Sequence, residues 1–466
     1  MSLLAKPAKE LLSDLASGQL TAAALMRATL DRIEEVNGRV NAIVALRDAE
    51  DLMREAEAAD AAETRGPLHG LPIAVKDLVN VRGIVSTQGS PILKDFVPKK
   101  DDLLAQRMRD AGAILIGKTN VPEFGLGSHS FNPVYGATSN PYDPTRSCGG
   151  SSGGAAVALA TGMTALADGS DMMGSLRNPA AWNNVYGFRP SIGLVPSEPV
   201  GEAYFKQLAT LGPMARNPED LALFLDVLSG PDPRVPGCHA ADPMMPLPQV
   251  DCADLRIGWL GDWGGAYPME AGVLAQCETA LEALRGLGCT VENVASPFDP
   301  EKIWESWITL RSWAVAGSLK ALQGQRAQLK DSAQWELDRG LNMSAMEVMR
   351  ASEIRSDWFR ACAALFAQYD ALILPSAQVW PFPGELPYPT EIAGQTMDTY
   401  HRWMDVMVPV SLLGLPALAA PAGFGAAGLP MGVQIFGPLG ADRKLLAIGA
   451  AYHAATRWPE NRPPPG

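Results

Sequence analysis

Residues 149–190 limit this chain's fold more than any other stretch, because they carry so little side-chain bulk. They read Gly149-Gly150-Ser151-Ser152-Gly153-Gly154, then a small-residue run to Asp168. Gly169-Ser170-Asp171-Met172-Met173-Gly174-Ser175-Leu176-Arg177-Asn178-Pro179-Ala180 follows. Glycine allows sharp backbone bends and the close approach of another group. Serine adds a hydroxyl with little volume. The pattern predicts a pocket in which backbone N–H groups and a serine oxygen face one atom. Between the two serine sites, 153–161 is predicted as a helix of small residues able to pack closely. Residues 164–167 are predicted as a short strand ending at the second serine loop.

A helix-then-strand rhythm surrounds this stretch and predicts an α/β fold. Thr21 is a candidate N-cap for a helix with Leu25, Ala28, Thr29, Ile33 and Val36 on one face, stopped by Asn37-Gly38. Residues 40–46 form a candidate strand and 48–64 a charged helix. Residues 71–76 are apolar up to their end, as expected of a strand buried on both faces, and finish in Lys76. A helix at 102–111, a strand at 113–116 and a long ordered loop at 132–148 follow. Asn217-Pro218 reads as N-cap and first position of a helix with Leu221, Phe224, Leu225 and Leu228 on one face. Further strands are expected at 255–259, 290–294, 370–375 and 431–436. Helices are expected at about 270–287, through most of 303–349, and from about 442. Residues 380–390 read as a proline-rich loop. The six prolines of 230–250 mark a surface excursion within one domain, 1–466, whose core runs from about 7 to 455.

Charge narrows the function classes. The formal net charge is −13, and no Lys/Arg block offsets it locally, which argues against a nucleic-acid partner. The six cysteines show no C-x-x-C spacing, so a zinc site is not expected, and structural disulfides are not expected in a chain this long without a secretory signal. No apolar run is long enough to span a bilayer, and the first residues lack an apolar core followed by a cleavage site. These features predict a cytoplasmic enzyme without a membrane partner.

Several local readings compete with a serine pocket. Gly112-Ala113-Ile114-Leu115-Ile116-Gly117-Lys118-Thr119 fits a phosphate-binding loop literally. Its middle is an apolar strand, however, and Pro122 stands where a helix would already run. Gly150-Ser151-Ser152-Gly153-Gly154 fits a nucleophile elbow, but the residues before it are polar and proline-broken. Nothing places His401 or His453 beside it. The five histidines sit in no ligand spacing, and His129 is a candidate border of the pocket. A lysine ending a buried strand ordinarily reaches the surface or pairs with a carboxylate. Asp77 is the adjacent candidate. Trp304, Trp307 and Arg311 share one helical face, open to reading as core or as substrate wall.

The spaced motifs together resemble the amidase signature family. The two serine loops carry the resemblance, with Gly70-Leu71-Pro72-Ile73-Ala74-Val75-Lys76-Asp77 before them. Lys118-Thr119-Asn120-Val121-Pro122-Glu123-Phe124, Thr138-Ser139-Asn140-Pro141, Tyr186-Gly187-Phe188-Arg189-Pro190 and Gly428-Leu429-Pro430-Met431-Gly432-Val433-Gln434 also fit. The resemblance implies a mixed sheet flanked by helices on both sides, and hydrolysis of a linear carboxamide. Carried over by position, Ser175 is the nucleophile, Lys76 the base, and Ser151 the bridge between them, with a cis peptide at Gly150–Ser151. Ser152 takes a hydrogen bond within its loop. The backbone N–H groups of Met172, Met173, Gly174 and Ser175 form the oxyanion hole. Gly125, Gly127, Ser128, Met173 and Arg177 are the candidate substrate contacts; the resemblance makes Arg177 usually structural, with contact to an acidic substrate the open alternative. Asp171 is read as orienting the loop. No metal or organic cofactor is implied.

Departures from the family pattern mark where the resemblance is weakest. Ser170 replaces threonine, Asn183-Asn184 stand where Cys-Gly is common, and Ser411 stands for asparagine. Met173 replaces a glycine inside the oxyanion loop. Two alternatives stay open: the glutaminase chain of a tRNA-dependent amidotransferase, working with partner chains, and a catalytically inactive scaffold. Ser86-Thr87-Gln88-Gly89-Ser90 looks more like the stand-alone enzymes. The expected partner is a small amide, and a homodimer is one open assembly.

Overall fold

The computed structural model describes residues 3–199, 201–205 and 207–465. Two sheets organise it. The smaller contains β1 (Ile43–Val44), β2 (Pro72–Lys76) and β3 (Ile114–Thr119), in the order β1-β3-β2. The larger contains β4 (Leu166–Asp171), β5 (Tyr186–Arg189), β6 (Thr210–Ala215), β7 (Arg256–Trp259), β8 (Thr290–Asn293), β9 (Ala371–Pro375), β10 (Ala417–Phe424) and β11 (Pro430–Phe436). Its order is β8-β7-β9-β11-β10-β5-β6-β4. β8, β7 and β9 run parallel, and every other pairing is antiparallel, so the sheet is mixed.

Strand periodicity places helices on both faces of the large sheet. Leu418 lies against Gly449 of the helix Asp442–Thr456. The next residue, Ala419, packs on the opposite side with Ala155, Ala156, Leu176 and Ala180. These small side chains bring the helices Gly153–Ala160 and Arg177–Trp182 close to the strands. Toward the small sheet the helix Gly153–Ala160 packs as closely: a Cβ at Gly154 would lie 2.3 Å from the nitrogen of Asn120, the residue after β3.

The predicted elements at 71–76, 102–111, 255–259, 290–294, 370–375 and 431–436 are present with small boundary changes. Three expectations need correction. The helix capped by Thr21 runs through Asn37-Gly38 to Val40 and ends at Asn41, which adopts φ 51°. Asn37 does not break it, because its side chain reaches forward to accept from Ala42 and Ile43 N–H at 2.9 and 2.8 Å. The strand expected at 164–167 instead spans Leu166–Asp171, with Gly169 and Ser170 paired to Gly212 and Leu211. The alanine-rich β10, with β5 and β6, has no counterpart among the predicted elements. Pro421 is tolerated in β10 because pairing with β5 covers only Ala417–Ala419.

The two sheets meet at the edge strand β4. No backbone ladder joins β2 to it. Instead Asp168 Oδ1 accepts the Lys76 backbone N–H at 2.9 Å. That side-chain bond holds the end of β2 against β4, where the small-residue loops lie.

Candidate active site

Lys76 ends β2 with its side chain wholly buried. Nζ lies 2.9 Å from Ser151 Oγ, 2.7 Å from Ser152 Oγ and 2.9 Å from Ser170 Oγ. A neutral amine offers two N–H donors and one lone pair, and three hydroxyls can satisfy all three. Burial lowers the lysine's pKa to about 7, against an opposing pull from Asp168 and Asp171. Ser151 and Ser152 open the helix Gly153–Ala160, and the Gly150–Ser151 peptide is cis. Ser152 N–H donates to Ser175 O at 3.3 Å, so the two serine loops touch directly.

The second loop is built around Asp171. Its carboxylate accepts from Gly174 N–H at 2.8 Å, Leu176 N–H at 3.2 Å, Arg177 at 2.9 Å and Arg189 at 3.0 Å. Burial works to raise its pKa, but Arg177 and Arg189 outweigh burial and hold it well below the usual carboxylate range. Gly174 adopts φ 85°, and a Cβ there would lie 2.6 Å from Met407 Cγ, so only glycine fits. Among the described residues, the N–H groups of Met172, Met173 and Ser175 have no protein acceptor. Ser175 Oγ makes no hydrogen bond there either, and its side chain borders a cavity of about 410 Å³. Ser151, Ser170, Met172 and Met173 line the same cavity.

A family model described as Amidase matches residues 24–446. The chain belongs to the amidase signature family. It is an amidase, a hydrolase of amide bonds. It is 32% identical to an acylamidase of Rhodococcus erythropolis over 98% of this chain and 96% of that protein. It is 33% identical to the A chain of the glutamyl-tRNA(Gln) amidotransferase of Thermus thermophilus, over 96% of this chain and 97% of that protein. Among solved structures it is similar to a bacterial aryl acylamidase of the amidase signature family, with TM-score 0.90 and 28% identity over 98% and 99% of the chains.

Several residues of the amidase stand elsewhere than the sequence suggested. Arg177 is fully buried and does not line the cavity. All five of its N–H donors are used, on Asp171, Met407 O, Gln434 and Ser411, so it is not a substrate contact. Ser128 also lies outside the cavity, its Oγ 2.6 Å from Gly150 O. Gly125, Gly127 and Met173 do line it. Gly174 N–H is engaged by Asp171, which removes it from the expected oxyanion donors. His129 does not border the cavity; its ring lies 2.9 Å from Gly384 O and 2.8 Å from Ser147 Oγ. Asp77 turns from Lys76 to Thr87, 2.6 Å away, and to Lys118 at 3.9 Å. Of the helical trio, Trp304 and Trp307 pack in the core, and Arg311 faces the cavity.

Sequence reasoning undervalued Ser152 and Ser170, both of which touch Lys76. The signal was present in the family pattern: hydroxyl residues occupy both positions. Among the described residues no helix is long and apolar enough to cross a membrane.

Proposed function

We propose that this amidase cleaves small carboxamides through an acyl-enzyme on Ser175, with Ser151 and Lys76 as its proton relay. The observation that carries this reading is the buried Lys76 amine hydrogen-bonded to Ser151 at the cavity wall that Ser175 shares. Ser175 Oγ attacks the amide carbon as its proton passes to Ser151 and the Ser151 proton passes to Lys76. The carbonyl oxygen gains negative charge and is held by the unpaired N–H groups of Met172, Met173 and Ser175. The tetrahedral intermediate collapses, the protons return along the relay to the departing nitrogen, and an ester on Ser175 remains. Water enters, gives a proton to the same relay, and releases the acid.

The cavity wall supports an apolar substituent on the substrate. Leu78, Leu93, Phe124, Leu126, Leu319 and Leu322 are among the side chains that line it. The acylamidase and aryl acylamidase relatives support the same class. A free glutamine would have to bury its ammonium and carboxylate among these side chains, which disfavours the reading as a glutaminase chain. The enzyme is proposed to act in the cytoplasm as one domain across 1–466, with core about 7–455, alone or as a homodimer.

The test is turnover by the purified chain with no other protein, followed by mass spectrometry of the quenched enzyme. An acyl adduct is expected on Ser175, with turnover abolished in Ser175→Ala. Near-wild-type hydrolysis by Ser175→Ala, or an adduct on Ser152, would sink the assignment.

A further inference from the structure

Arg311 interrupts the apolar wall of the active-site cavity. It is the one charged side chain lining that cavity among the described residues, and it is 4% exposed. Nε donates to Glu336 Oε1 at 2.7 Å, and Nη2 donates to Tyr400 Oη at 2.6 Å. Glu336 is itself satisfied, accepting from Tyr400 Oη at 2.7 Å and from Ser312 Oγ at 2.6 Å. Nη1 has a different neighbour: Met172 Sδ, at 3.4 Å. A thioether is a weak acceptor. Two of the five N–H donors of Arg311 therefore reach oxygen within the protein. Arg177, in the same active-site region, has oxygen acceptors for all five.

Buried N–H groups of a charged side chain are costly to leave without an oxygen acceptor. An arginine serving only to neutralise Glu336 has no need of donors turned to the cavity. Met172 fixes where they point: it is the first residue after β4, two positions from Gly174 and three from Ser175. A molecule bound at Ser175 and extending along Met172 meets them. The charge balance selects what that molecule carries. Glu336 already compensates the guanidinium, so a carboxylate placed here would leave net negative charge inside an apolar cavity.

We propose that Arg311 is a specificity-determining residue that binds a neutral oxygen acceptor, such as a ketone, ether or second amide carbonyl, on the substrate arm running past Met172. The proposal rests on the amidase reading of this cavity and adds the polar feature of its substrate. Linear amides with one ketone or ether oxygen moved stepwise away from the scissile carbonyl, on either arm, are compared with all-carbon analogues and with terminal carboxylates. Turnover is measured as kcat/KM in the wild type. Affinity is measured by calorimetry in Ser175→Ala, which needs no chemistry. One oxygen position is expected to be favoured about 10–100-fold over carbon, the range for a hydrogen bond to a charged group, with the carboxylate disfavoured. The preference should collapse toward unity in Arg311→Met. It should collapse likewise in Arg311→Met/Glu336→Gln, which removes both charges and avoids stranding the glutamate. A binding preference without turnover would support the acceptor contact while faulting the hydrolytic reading. No favoured position in the wild type, or a preference that survives either variant, overturns it.

Discussion

At Lys76, burial sets the protonation state before any substrate arrives. With a pKa of about 7, the neutral base is the minor form below neutral pH and the major form above it. The kcat/KM profile should fall about tenfold per unit below pH 7 and hold on the alkaline side. A profile that declines above neutral would rule out an amine base. Ser152 and Ser170 bind the same nitrogen, and Ser152→Ala removes one of its three hydroxyl partners. That variant should keep measurable turnover, unlike Ser175→Ala, with its loss read in kcat rather than KM. Met173 keeps its N–H and lines the cavity, so Met173→Gly should shift kcat/KM toward bulkier amides. An unchanged ratio of bulky to short substrate would show that the methionine does not limit size.

The nucleophile loop is tied to the rest of the fold by ion pairs. Arg177 joins Asp171 to β11 through Gln434 and to the helix Val408–Leu413 through Ser411. Arg177→Met should destabilise the protein by about 3–5 kcal/mol, because Asp171 loses one of its two buried cationic partners. Urea titration followed by circular dichroism measures this, and a loss under about 1 kcal/mol would mean that Arg189 suffices. Much at this scale was readable in the chain. The apolar run ending at Lys76 announced β2, and Asn217-Pro218 announced its helix. β10 was not readable, since Ala417-Leu418-Ala419-Ala420-Pro421-Ala422 carries neither β-branched residues nor polar alternation. Its strand state comes from flanking partners and from helices packed on both faces. The role of Gly174 was equally hidden, because it follows from Asp171 drawing the Gly174 N–H into its own hydrogen bonds. Arg311 lies far from the serine loops in sequence, and only the fold brings it to their cavity.

Across the whole molecule the hydrogen-bond partners of Lys76 are drawn from both sides of a seam between two sheets. Lys76 belongs to the small sheet, and Ser170 to the edge strand of the large one. Asp168 is the side chain that bridges them at the lysine. Asp168→Ala removes the acceptor of a buried backbone N–H and should cost about 1–3 kcal/mol. Its effect on turnover should exceed what that loss of stability explains. The seam acts as an assembly gauge. Each sheet keeps its own backbone ladder if the other shifts, whereas Lys76 meets the serines only when both are in register. Loss of function should therefore precede loss of structure as denaturant rises, with activity disappearing at urea concentrations where helical ellipticity is still native. A chain caught in that interval is folded by every bulk measure and yet inert, its proton route severed where the sheets slip out of register.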